Sequence, residues 1–154
     1  MMTDALEAQR VLGDRYDVRA DVWSAPSYQQ LRDDALECER WNRLHPTAAP
    51  KVAYVTEQLA DAGGPVVAVT DFLKLVPEQI ARFVRGPFVS LGTDGYGLSD
   101  TRVALRRYFE VDTAHIVVTT LHQLASTGAI AATVVDDAIR DFGLDPESPR
   151  PSTV

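Results

Sequence analysis

Apolar residues recur at three- and four-residue intervals in most of the chain, and this spacing predicts a series of amphipathic helices. Proline, glycine and short polar residues mark where those helices should begin and end. Thr3 or Asp4, Ser99 or Asp100, and Thr113 are the expected N-caps. Pro77 should interrupt one helix. The expected helices cover residues 3–16, 27–45, 54–62, 71–84, 100–109 and 113–127, with stops at Gly128 and, for a last helix, at Gly143.

Three other stretches have the pattern of β-strands. In residues 18–24, Val18, Ala20 and Val22 alternate with polar or aromatic residues, as in a strand with one buried face. Residues 66–70 form a continuous apolar run, which is typical of a parallel strand buried on both faces. Residues 88–92 are the third candidate. Strands alternating with helices predict an α/β domain.

Composition and charge exclude several classes of protein. The 154 residues carry a formal net charge of −7, so long-range attraction to nucleic acid is not expected. No apolar run approaches the roughly 20 residues that a membrane-spanning helix needs. The N-terminus lacks the pattern of a secretory signal, and the single cysteine, Cys38, cannot form an internal disulfide. These features predict a cytoplasmic protein that binds neither nucleic acid nor membrane.

The glycine-rich loop after the third strand candidate is the main candidate for binding. Glycines before a helix can expose backbone N–H groups to an anion, but they also serve tight turns and close packing. The loop lacks the lysine and spacing of a P-loop, and Asp94 would repel a phosphate. Both a structural role and an interface or anion-binding role remain open for Gly92, Thr93, Asp94, Gly95, Tyr96, Gly97, Ser99, Asp100 and Arg102.

Other reactive side chains favour structural interpretations. His115 and His122 are two helical turns apart, about 10.5 Å by helical rise, which is too far for one metal ion. Cys38 lies on an apolar helical stripe and is predicted to be a packed, unreactive thiol. Trp41 on the same stripe suits a core or interface, and Arg40 could pair with an acid across a dimer contact. No catalytic, cofactor-binding or metal-binding residue is predicted.

Several motifs, in order, resemble one enzyme family. LGTDGYGLSDTR (Leu91 to Arg102) and RRYFEVD (Arg106 to Asp112) are similar to the C-terminal domain of the homodimeric-type pyruvate dehydrogenase first component. So are CERWNRLHP, YVTEQL and VTDFLKLVPEQI, which begin at Cys38, Tyr54 and Val69. Tyr96 stands where the family pattern has phenylalanine.

The resemblance implies a transketolase C-terminal-like domain with three α/β/α layers and a mostly parallel sheet. It also implies that the chain lacks the family's first strand material, including one strand from the middle of the sheet. Thiamine diphosphate and Mg²⁺ would be bound by domains or chains not present here. The domain is expected over residues 1–144, followed by a disordered tail over residues 145–154.

Three functional hypotheses follow from the resemblance. The first is a non-catalytic domain or subunit of a pyruvate dehydrogenase that supports dimer assembly and the active site, with a catalytic thiamine-diphosphate-binding subunit as its partner in a homo- or hetero-oligomer. The second is a subunit of a split thiamine-diphosphate enzyme that transfers another acyl or ketol unit in secondary metabolism. The third is a stand-alone protein-interaction module.

Overall fold

A computed structural model describes residues 1–151 and shows a helical domain around a small parallel sheet. The described chain contains two strands, β1 (Val66–Val69) and β2 (Phe88–Leu91). A short 3-10 helix, Ala81–Phe83, lies between them. The α-helices are α1 (Met2–Tyr16), α2 (Tyr28–Leu44), α3 (Tyr54–Gln58), α4 (Leu75–Glu78), α5 (Arg102–Tyr108), α6 (Thr113–Ser126) and α7 (Ala132–Asp141).

Helices cover both faces of the sheet because the strand side chains alternate between two apolar clusters. The strands are parallel, with Val66 opposite Phe88 and Val69 opposite Leu91. Val67 and Val69 pack against the larger cluster, which α1, α6 and α7 supply. Val66 and Phe88 pack against the smaller cluster, which involves α2, α3 and the 3-10 helix. The prediction of an α/β domain is therefore confirmed.

The prediction of a strand over residues 18–24 is wrong, since this segment pairs with no strand in the described chain. Its side chains nevertheless alternate as predicted. Val18, Ala20 and Val22 are partly buried, whereas Arg19 and Asp21 are exposed. The segment has the side-chain pattern of a strand without the hydrogen-bonded neighbour that defines one.

The predicted N-caps of three helices are wrong, because another residue, or no side chain at all, caps the helix. α1 begins at Met2 without a side-chain cap, so neither Thr3 nor Asp4 serves. Thr101, rather than Ser99 or Asp100, caps α5 by accepting a hydrogen bond from the Ala104 N–H. Asp112, rather than Thr113, caps α6 through the His115 N–H. For α5 and α6, the residue next to the observed cap is an equally suitable N-cap, and the sequence alone does not indicate which of the two serves.

The predicted ends of the last two helices are confirmed. Gly128 and Gly143 both have positive φ just after α6 and α7. The helix expected over residues 71–84 is only α4 and the 3-10 helix, while residues 71–74 form a loop. α3 is likewise shorter than expected. Disorder of the tail stays a prediction: residues 145–151 include a turn at Asp145, and residues 152–154 lie outside the described part.

Candidate functional site: paired loops at the carboxyl ends of the strands

The loops that follow β1 and β2 are hydrogen-bonded to each other. The Thr93 N–H donates to the Phe72 carbonyl at 2.9 Å. The Thr93 hydroxyl donates to the Asp71 carbonyl at 2.7 Å. Ligands of open α/β sheets bind outside the carboxyl ends of parallel strands, which is where these loops lie. The two loops therefore form one unit at the end of the sheet where ligands bind in such folds.

Asp94 and Gly92 have structural roles in this unit. The Asp94 carboxylate accepts a hydrogen bond from the Lys74 backbone N–H at 2.9 Å, and its other oxygen lies 4.0 Å from the Lys74 ammonium. A Cβ on Gly92 would lie 2.6 Å from the Phe72 carbonyl oxygen and 2.9 Å from the Lys74 nitrogen. The loops can approach this closely only because Gly92 has no side chain.

An open groove of about 740 Å³ lies beside the paired loops. It brings together six of the residues predicted from the glycine-rich loop, namely Thr93, Gly95, Tyr96, Gly97, Asp100 and Arg102. Gly92, Asp94 and Ser99 do not line it. Asp71 and residues of α5, including Arg106, complete the groove. Two acids, Asp71 and Asp100, and two bases, Arg102 and Arg106, therefore stand on its walls.

Sequence reasoning named Tyr96 as an interface candidate but missed the other large apolar side chains that the two loops, α4 and α5 expose to solvent. Tyr96 is 93% exposed, Val103 81%, Leu75 71% and Phe72 68%. We define the apolar platform as Phe72, Leu73, Leu75, Tyr96, Leu98 and Val103. The residues before Pro77 were expected to form a helix with a buried apolar face. The irregular loop at residues 71–74 instead leaves Phe72 and Leu73 exposed.

Arg40 and Trp41 lie away from the groove. Trp41 stacks on His45 with ring centroids 4.4 Å apart, and the Lys51 ammonium lies 4.8 Å from the Trp41 ring. The side chain of Asn42 closes this turn by bonding to both backbone groups of Lys51. Trp41 thus holds the loop after α2 against that helix, while Arg40 is exposed.

The adjacent arginines at the end of α5 are neutralised by acids. Arg106 lies 2.7 Å from Asp4, and Arg107 lies 2.9 Å from Asp112. Burial alone would raise the pKa of Asp112. Hydrogen bonds from the ring and backbone nitrogens of His115, with the charge of Arg107, outweigh burial and hold that pKa below its ordinary value. Asp112 therefore joins α5 to α6 as an ionised cap.

Acid should remove this contribution of Asp112. Because its pKa is lower in the folded chain than in the unfolded chain, the stabilisation is complete above its ordinary pKa of 3.8. It is lost as the pH falls through the lower folded value. Asp112→Asn keeps the cap without the charge, so we expect its stability to depend less on pH below about pH 5. Urea unfolding from neutral to acidic pH measures this, and parallel curves for both proteins would contradict it.

Cys38 is only partly buried, yet its surroundings oppose ionisation. Burial raises the pKa of the Cys38 thiol, and the neighbouring carboxylates of Asp34 and Glu37 raise it further against a smaller opposing effect of Lys51. A thiol with a raised pKa is a poor nucleophile at neutral pH. This direction agrees with the interpretation of an unreactive side chain.

Thiamine diphosphate with Mg²⁺ is the cofactor that the resemblance implies for the parent enzyme. A magnesium-bound diphosphate needs oxygen ligands for the metal and free donors for the phosphates. Within residues 1–151 no group of three or more acidic, histidine or cysteine side chains could hold a metal. Of the two arginines that line the groove, Arg106 is paired with Asp4, whereas Arg102 is exposed. A separate finding concerns membranes: within residues 1–151, no helix is both long and apolar enough to cross a bilayer.

Comparison with known proteins agrees with the motifs. Residues 1–112 match the family model described as the transketolase-like TK C-terminal domain. The chain is 46% identical over 98% of its length to the pyruvate dehydrogenase E1 component of Pseudomonas aeruginosa, covering 17% of that protein. It is 44% identical over 94% of its length to the E1 components of Mycolicibacterium smegmatis and of Escherichia coli K12, covering 16% of each.

These matches confirm the resemblance stated above, and they cover nearly the whole chain at high identity. The chain spans about a sixth of the length of these relatives. The identity therefore concerns the domain, and the chain belongs to the transketolase-like TK C-terminal domain family in the form found in pyruvate dehydrogenase E1 components.

Proposed function

We propose that this chain is the non-catalytic C-terminal part of a pyruvate dehydrogenase E1 component and that its function is assembly. The assembled enzyme would decarboxylate pyruvate oxidatively and transfer the acetyl group to a lipoyl group in the cytoplasm. Thiamine diphosphate and Mg²⁺ would be held by the rest of that enzyme. The apolar platform carries the proposal, because its large side chains are exposed on two loops that hydrogen bonds join and on the helices that follow them.

The energetics favour a protein partner for the platform. Burying one large apolar side chain is worth roughly 1.5–3 kcal/mol. Exposed apolar clusters with polar rims are typical of protein–protein contacts. Here the rim includes Asp71, Lys74, Asp100 and Arg102, which can supply orientation at the edge of the contact. Thr93 and Asp94 fix the two loops to each other, so little conformational entropy is lost on binding.

Reconstitution tests the proposed function. The chain would be mixed with a Pseudomonas aeruginosa E1 polypeptide from which the region matching this chain has been removed. We expect the two to co-elute on size exclusion and to regain thiamine-diphosphate-dependent pyruvate decarboxylation. The chain alone should turn over no 2-oxo acid. Turnover by the isolated chain, or the absence of any association, would contradict the proposal.

A charge on the platform should weaken this association. Val103 is 81% exposed in the first turn of α5, where an aspartate is favourable for the helix. Val103→Asp should therefore fold normally while raising the Kd for the truncated E1 at least about tenfold, or 1.4 kcal/mol. Val52→Asp is the matched control, since Val52 is 55% exposed and lies outside the platform. Equal Kd values for the two variants in calorimetry would show that the platform is not the contact.

A further inference from the structure

The loop over residues 94–100 has unused backbone hydrogen-bonding groups. Within residues 1–151, none of its backbone N–H groups donates a hydrogen bond and none of its carbonyls accepts one. Side chains hold the loop only at its two ends, where Asp94 accepts from the Lys74 N–H and Asp100 accepts from the Thr101 N–H. A segment of this length without backbone bonds can pair with another polypeptide, which carries both donors and acceptors.

The groove beside this loop has apolar walls on two sides. Leu105, Phe109 and Val111 line it from α5 and the residues that follow, and Tyr96 and Leu98 line it from the loop. Phe109 and Val111 are buried, whereas Tyr96 is 93% exposed and Leu98 51%. A large apolar side chain from a partner can therefore contact both walls and cover the two loop side chains that are now in solvent.

Charged groups of both signs line the groove without an ion pair. Asp71, Asp100 and Arg102 are exposed there, and none of them forms an ion pair within residues 1–151. A small anion would be attracted by Arg102 but repelled by the two aspartates. A polypeptide segment can instead place an acid beside Arg102 and a base beside the aspartates. The charges therefore favour a segment of mixed charge as the occupant.

We propose that residues 94–100 and the groove bind one extended segment of the catalytic part of an E1 polypeptide. The segment pairs with the loop through its backbone, places a large apolar side chain between the two apolar walls, and brings a carboxylate to Arg102. The contact is continuous with the apolar platform, because Tyr96 and Leu98 belong to both. The inference rests on the proposed function and deepens it by naming the chemistry of the segment that binds.

Amide exchange of the full chain tests the backbone contact. The partner is the Pseudomonas aeruginosa E1 polypeptide without the region matching this chain. In the complex, exchange in residues 95–100 should slow at least about tenfold, because a bonded amide exchanges only when the contact opens. Gly63 and Gly64 are the matched control, since their N–H groups are also unbonded within residues 1–151 but precede β1, at the other end of the sheet. Their exchange should not change.

A charge reversal at Arg102 tests the carboxylate of the segment. Arg102 is the first residue of α5, where a glutamate is favourable for the helix, so Arg102→Glu should fold normally. The variant should raise the Kd for the truncated E1 at least about tenfold, because two like charges would then face each other. Arg85→Glu is the matched control, since Arg85 is exposed and lies before β2, at the other end of the sheet. It changes the net charge equally and should leave the Kd unchanged.

The outcomes separate this contact from the proposed function. Association without slower exchange in residues 95–100, or with equal Kd values for the two charge reversals, would overturn the contact and leave assembly through the platform in place. Slower exchange with inorganic phosphate alone, or with rising concentration of the chain alone, would also overturn it, because an anion or a second copy would then occupy the groove. No association at all would overturn the proposed function and the contact together. Slower exchange in the complex only, with a weaker Arg102→Glu complex, would support both.

Discussion

Leu121→Ala is expected to lower the free energy of unfolding by about 2–5 kcal/mol. Leu121 on α6 is completely buried, in a cluster that also contains Leu12 of α1, Leu91 of β2 and Ala138 of α7. The shorter side chain loses the transfer free energy of the removed carbons and leaves a cavity that these elements cannot all fill. A domain of this size has a net stability of about 5–15 kcal/mol, so the loss is a large fraction of the total.

Urea unfolding followed by circular dichroism measures this change. Leu44→Ala is the matched control, because Leu44 is 55% exposed at the end of α2. Its effect should stay within about 0.5 kcal/mol, as for most surface substitutions. A loss below about 1 kcal/mol for Leu121→Ala would mean that α6 does not organise the core as the structure indicates.

Most of the helices were predicted correctly because the signals that define them, the spacing of apolar residues and the residues at the helix ends, lie within the segment itself. α6 has Ile116, Val117 and Leu121 on one face, and each is buried. Gly128 ends the following turn with a positive φ that glycine adopts without strain. The spacing of apolar residues and the position of glycine were sufficient here. Apolar residues three and four positions apart form a single helical face, and that face packs against the core. Cap positions were off by one where two suitable residues are adjacent, as with Asp112 and Thr113.

The strand at residues 18–24 was mispredicted for a non-local reason. Alternation at Val18, Ala20 and Val22 specifies which side chains are buried, and the structure agrees with it. Pairing depends on a neighbour elsewhere in the polypeptide, which alternation does not contain. The glycine-rich loop shows the same contrast between a local pattern, which the sequence contains, and a non-local contact, which it does not. Its sequence indicated a turn, but the hydrogen bond that the Lys74 N–H donates to the Asp94 carboxylate joins residues 20 positions apart.

Gly92→Ala should destabilise the paired loops more than a substitution of any solvent-exposed residue in them. The added Cβ would meet two backbone atoms, the Phe72 oxygen at 2.6 Å and the Lys74 nitrogen at 2.9 Å, neither of which can rotate away. Such overpacking costs about 1–3 kcal/mol, and separating the loops would break the bonds of Thr93 and Lys74. Gly97→Ala is the control, since its Cβ would meet nothing within 4 Å. Urea unfolding and exchange of the Thr93 and Lys74 amides test this, and indistinguishable alanine variants would mean that the loops are not held by close approach at Gly92.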